Sequence, residues 1–229
     1  MSTTPLPPAP APLGSLPGDA SAGLAGYTAA GLGAVAAAAL GVMYAVEVPR
    51  GGPYVFGAVN DFTGGLFFAA SIPVIVQIHR RLTAGPWSRA ALGATVTASA
   101  GAAASGVLLS LGLIGFAPST VVSVAGIVTQ AVWTMLANHR LSGRPPYPRR
   151  LALAGRAIGA GMLVAVPVVW AGLAASGAPA LQTALLALGG AVGGAAYLAW
   201  PVWLAFAGRR LTGSAVHRRP ARGAAATPA

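Results

Sequence analysis

In this chain of 229 residues, 55% are hydrophobic and 7% charged, with a mean hydropathy of +0.71. A soluble domain carries about a quarter charged residues, so water is excluded as the main solvent of this surface and lipid takes its place. The net charge of +11 comes from fourteen arginines, with no lysine, against Asp19, Glu47 and Asp61. The absence of cysteine excludes a disulfide framework, a thiolate metal site and a cysteine nucleophile.

Residues 1–22 are rich in proline, alanine and serine, with Asp19 as their single charge. They lack the basic start of a cleaved signal and read as a disordered leader. The first apolar run, about 25–46, carries Tyr27 near one end and Tyr44 near the other, as interfacial aromatics do. Glu47 and Arg50 follow in EVPRGG. The second run, about 57–78, contains the Asn60-Asp61 pair and Pro73, which should bend the helix, and ends at Arg80 and Arg81.

The third run, about 90–111, is thick with small residues; Gly101, Ser105 and Gly106 permit close backbone approach. The fourth, about 120–137, holds Thr129 and Gln130 near its middle and leads into the arginine-rich NHRLSGRPPYPRR. The fifth, about 157–175, begins on a Gly155-x-x-x-Gly159 ridge and contains Pro167. The sixth, about 181–207, carries Gly189, Gly190, Gly193 and Gly194, which predict a helix contact, and Pro201 between Trp200 and Trp203. Residues 209–229 read as a basic disordered tail.

The fold expected is an all-α integral membrane protein: one domain over 23–208, a six-span helical bundle. Arginines alternate faithfully: thirteen lie after the second, fourth and sixth spans, and Arg50 alone lies on the other side. By the positive-inside rule that face and both termini are cytoplasmic. Arginine as the sole strong cation, beside abundant alanine, glycine and proline, suggests a GC-rich genome and hence a bacterial cytoplasmic membrane. Because the arginines cap apolar runs and form no patch with stacking aromatics, no nucleic acid is expected. The expected partners are membrane lipids, with anionic headgroups at the arginines, and a second copy or membrane protein against the small-residue faces.

Three helix ends resemble one another: IHRRLTAG from Ile78, NHRLSG from Asn138 and GRRLTG from Gly208. Aligning Leu82, Leu141 and Leu211 also superimposes Trp133 on Trp203. A triplicated hairpin is one reading. Convergence is preferred, because the first helices of the three hairpins show no such likeness, and arginines, tryptophans and turn residues favour these positions anyway.

Asp61 is the sharpest candidate for function, because an acid inside a span is costly unless it meets water or a partner. With Glu47, Arg50 and Asn60 it forms a candidate polar cluster or ligand and ion contact at the outer face. The competing reading makes Asp61 the cap of a helix starting at Phe62. Gln130, with Thr129, is the candidate buried polar helix contact. His79 and His139 sit beside arginines at the inner interface, a bilayer away from Glu47 and Asp61, so these groups cannot form one acid–base site. No metal-binding spacing, nucleotide loop or serine elbow occurs, so no catalytic residue, metal or cofactor is expected. The leading function is that of a non-catalytic accessory or interaction subunit. The alternatives are a small transporter or permease component using Asp61, and an intramembrane enzyme acting on a lipid or prenyl substrate.

Overall fold

The computed structural model describes residues 16–82, 85–144 and 147–216, with side chains to 213. Among them are six long helices and no strand. Helix α1 spans Asp19–Arg50, passing through a π turn at Met43–Glu47, and α2 spans Val55–His79. Then come α3 (Pro86–Ser110), α4 (Phe116–Leu141), α5 (Arg149–Ala174) and α6 (Pro179–Val216). The shortest, at 25 residues, is about 38 Å long, more than the roughly 30 Å of a hydrocarbon core. All six are apolar enough to cross, and the chain is a multi-pass membrane protein.

The helix ends depart from the expected ones where charge was taken for loop. Helix α1 begins at Asp19, inside the expected leader; α5 begins at Arg149; α6 continues to Val216, into the expected tail. Backbone hydrogen bonding does not stop at the bilayer surface, and arginines are good helix formers. Residues 1–15 of the leader and 217–229 of the tail lie outside the described residues. Pro73, Pro167 and Pro201 all sit within continuous helices.

Each helix packs chiefly against its two neighbours in sequence, and α6 closes against α1, so the six form a ring. Lesser contacts join α2 to α4 and α6. The middle is filled by Phe67, Phe68 and Trp200, packed edge to face at 5.1–6.3 Å. The outer surface is also apolar: Leu198 is 60% exposed beside Trp200 at 2%. With hydrocarbon outside, an apolar side chain is no mark of the inner face.

Small residues set the close crossings. Gly65 of α2 lies against Gly106 of α3, where an added Cβ on Gly106 would stand 2.5 Å from the Asp61 carbonyl oxygen. Ser105 donates to Ser119 across α3 and α4 at 2.9 Å. On α6 the glycines divide. Gly189 and Gly193 pack on Val169 and Ala165 of α5, whereas Gly190 and Gly194 face open space. The expected contact therefore holds for one member of each pair, since adjacent helical residues point about 100° apart.

The three hairpins also correspond in arrangement. Counted back from Leu82, Leu141 and Leu211, the same registers are buried in α2, α4 and α6: Ser71, Gln130 and Trp200; Val74, Trp133 and Trp203; Ile78, Ala137 and Ala207. At one further register, each residue faces the next odd-numbered helix round the ring. His79 meets Ser88 of α3, Asn138 lies over Gly155 of α5, and Gly208 lies against Gly23 and Gly26 of α1. Stop-transfer chemistry accounts for the arginines, but not for this cyclic packing. The likeness in sequence remains confined to the helix ends.

Candidate functional site

The chain turns between α1 and α2 through Gly51 and Gly52, whose φ values of 72° and 104° favour glycine. This turn and the π turn before it bring Glu47 back over the start of α2. Its carboxylate accepts the backbone N–H of Phe56 (2.9 and 3.1 Å) and of Gly57 (3.3 Å). Glu47 is thus the anion at the amino terminus of α2, where free amides and the helix dipole favour negative charge. It caps from a neighbouring helix and not from its own sequence position.

Asp61 is therefore not a cap: α2 starts at Val55, and Asp61 lies inside it, half-buried. Its Oδ1 accepts from Asn60 Nδ2 at 3.2 Å. The Asn60 Oδ1 atom is buried without a partner. Arg50 is exposed, and the carboxylates of Glu47 and Asp61 bond elsewhere. The four residues share one end of the bundle, but the bonds divide them: Glu47 caps α2, Asn60 bonds Asp61, and Arg50 is exposed, apart from both.

Gln130 joins three helices. Its Nε2 donates to Ser71 Oγ of α2 at 2.9 Å and to Ser99 Oγ of α3 at 2.7 Å. Both serines donate onward, to the Phe68 and Thr95 carbonyls of their own helices. Thr129 takes no part. Its hydroxyl bonds the Ala125 and Gly126 carbonyls of α4, because it points about 100° away from Gln130.

The arginine face holds groups that sequence reasoning missed. Asp19 is 1% exposed, and both its oxygens accept from Arg81 Nη2 at 2.7 Å. Gln77 Nε2 donates to Asp19 Oδ1, and both Gln77 and Arg80 donate to the Pro17 carbonyl. The signal available was the Asp19 charge beside a Pro-Gly, a helix-start pattern.

His79 is buried: Trp133 Nε1, which can only donate, points at its Nδ1 at 3.5 Å, and Ser88 Oγ lies 3.3 Å from its Nε2. This geometry selects the neutral tautomer with its proton on Nε2. It is not the lipid-facing interfacial group expected, whereas His139 is exposed. Asn138, wholly buried, donates to the Thr134 carbonyl and accepts from Tyr147 at 3.0 Å. Burial pushes the Tyr147 phenol well above its ordinary pKa, with Arg81 opposing, so this donor keeps its proton.

Among the described residues, grooves open on the outer surface, three of which lie between neighbouring helices. One of about 650 Å³ lies between α1 and α6, from Tyr27 to Arg209. A second, about 590 Å³, lies between α5 and α6 with Arg150 and Arg210 at its end. A third, about 340 Å³, lies between α3 and α4 beside His79 and Arg140. Glu47, Asp61 and Gln130 line none of the three. Comparison with protein-family models, with curated proteins and with solved structures finds no match to this chain.

Proposed function

We propose that this chain is a non-catalytic membrane subunit that acts through its helix faces, as an accessory or interaction partner within the bilayer. The observation that carries the reading is the outward face of α6, where Gly190 and Gly194 have open space beyond them. A glycine face turned to lipid admits another helix closely, and close approach is what holds helices together where no hydrophobic force distinguishes protein from lipid. The use of the polar groups agrees with it: Glu47 holds α2, Asp19 holds Arg81, and Gln130 joins three helices.

The chain contains no cysteine, so single cysteines report without background. Gly190→Cys and Gly194→Cys, reacted in native membranes with a thiol-linked photocrosslinker, should give protein adducts. Val164→Cys, on the 54% exposed lipid face of α5, should not. Unshifted monomer from all three positions would overturn the reading.

A second reading, a small transporter or permease component, draws on the unpartnered Asn60 Oδ1 beside the Asp61 carboxylate. Two such oxygens suit a cation. A ligand that binds only the folded state raises its melting temperature. Sodium should then stabilise the parent against choline at equal ionic strength, and Asp61→Asn should abolish the difference. A parent indifferent to the cation would remove this reading. The third possibility, lipid or prenyl chemistry, needs Glu47 and Asp61 in one pocket; the two amides on Glu47 argue against it.

A further inference from the structure

Helices α1 and α6 pack antiparallel, with Gly26 against Gly208 near the arginine face and Gly33 against Pro201 deeper in. The furrow of about 650 Å³ on the outside of this pair is polar at one end only. Tyr27 and Arg209 close that end, at the arginine face. Beyond Tyr27 the α1 wall is built of alanines, whose side chains stop at Cβ and leave the furrow open. Leu198, Val202 and Phe206 form the α6 edge, each more than half exposed on the outer surface. No side-chain carboxylate of this chain is left for Arg209, because all three are engaged elsewhere. Asp19 holds Arg81, Glu47 holds the amides that start α2, and Asp61 bonds Asn60.

We propose that this α1–α6 furrow holds one anionic phospholipid from the leaflet at the arginine face. The phosphate meets Arg209 and Tyr27, and one acyl chain runs along the alanine wall. Charge chooses the headgroup: a guanidinium offers paired donors that match phosphate, and the phenol adds one more. Length chooses the chain. Each wall covers eleven steps of helix, Tyr27 to Ala38 and Leu198 to Arg209, about 16 Å at 1.5 Å per residue. That is about half of a 30 Å hydrocarbon core, the depth of one leaflet. A partner helix crossing the membrane would need the furrow to continue through the other leaflet. The volume is within the roughly 300–1,000 Å³ of sites that hold small ligands. The inference stands apart from the interaction reading, since Gly190 and Gly194 lie on α6 beyond the deep end of the furrow, toward the opposite face.

The test uses the full chain in a neutral detergent, equilibrated with micelles of equal parts phosphatidylglycerol and phosphatidylcholine. Lipid that survives activation strong enough to strip loosely held molecules is read by native mass spectrometry. The parent should keep phosphatidylglycerol in preference, and Arg209→Gln should lower that retention about fivefold. Arg89→Gln removes the same charge in the first turn of α3, outside the furrow, and should change it less than about twofold. Ala34→Trp fills the furrow from an exposed position and spares Arg209, so it should lower retention as Arg209→Gln does. Melting in lipid-free detergent identifies a variant that fails to fold; should Ala34→Trp fail, Ala38→Trp, also exposed, carries the decision. Equal loss from Arg209→Gln and Arg89→Gln, full retention by the folded tryptophan variant, or equal retention of the two lipids by the parent would each overturn the site. So would inorganic phosphate raising the melting temperature of the parent as much as phosphatidylglycerol does. Retention that survives Ala34→Trp while a dimer of the parent is lost would give the furrow to a second copy instead.

Discussion

The first and third hairpins occupy equivalent places in the ring, yet they are held by different chemistry. Helix α1 is fastened to α2 at both ends by acids. Asp19 binds Arg81 at the arginine face, and Glu47 binds the amides that start α2 at the other. Helices α5 and α6 have no acid between them. They meet through Gly189 on Val169, Gly172 on Leu186, and Trp203 on the Leu151 carbonyl. The first pair thus adds strong directional bonds at its two ends to packing as extensive as that of the second pair, which has no such charged ties. The difference shows in what each tolerates. A buried ion pair fails when one partner is removed, whereas a packed ridge fails when something is added.

Four substitutions test this contrast, each read as thermal or denaturant stability of the purified protein. Asp19→Ala should have the largest effect, a loss of about 3–5 kcal/mol, because it leaves the Arg81 guanidinium, 8% exposed, buried without its counter-ion. Asp19→Asn should recover part of that loss; a parent-like Asp19→Ala would mean that solvent reaches Arg81. Gly189→Leu should cost about 2–3 kcal/mol, since a Cβ alone would stand 2.7 Å from Val169 Cγ2. Glu47→Ala should cost about 1–2 kcal/mol, the usual loss for an amino-terminal cap, with Glu47→Gln in between. Gly190→Leu should change stability by less than about 0.5 kcal/mol, because nothing lies within 4 Å of its Cβ position. If Gly190→Leu matched Gly189→Leu, the two faces of α6 would not differ as described.

Much of the bundle was legible in the chain because crossing a bilayer imposes a length and a composition that no other fold demands. The six spans, the alternation of arginines and the small-residue crossings at Ser105, Gly106, Gly155 and Gly159 all follow from that requirement. The polar contacts were legible as residue types and not as partners. Gln130 required hydrogen bonds in hydrocarbon, but Ser71 and Ser99 became its partners only when α2 and α3 packed at its height. Asp61 looked like a cap because the cap was sought within its own segment, and the true one, Glu47, comes from the preceding helix.

Hydropathy and charge along the chain therefore set the class of protein, the number and order of its spans, and which face carries the arginines. These depend on hydropathy and charge summed over whole segments, and such sums survive any rearrangement of neighbours. Helix packing set the rest: Asp19 is buried on Arg81, Glu47 rather than Asp61 holds the start of α2, and Gly189 meets α5 while Gly190 meets open space. It also closed the ring that sets His79, Asn138 and Gly208 in one register. Each of these depends on the rotation of one helix against another. With apolar residues on every side of these helices, hydropathy alone carries no signal that fixes that rotation.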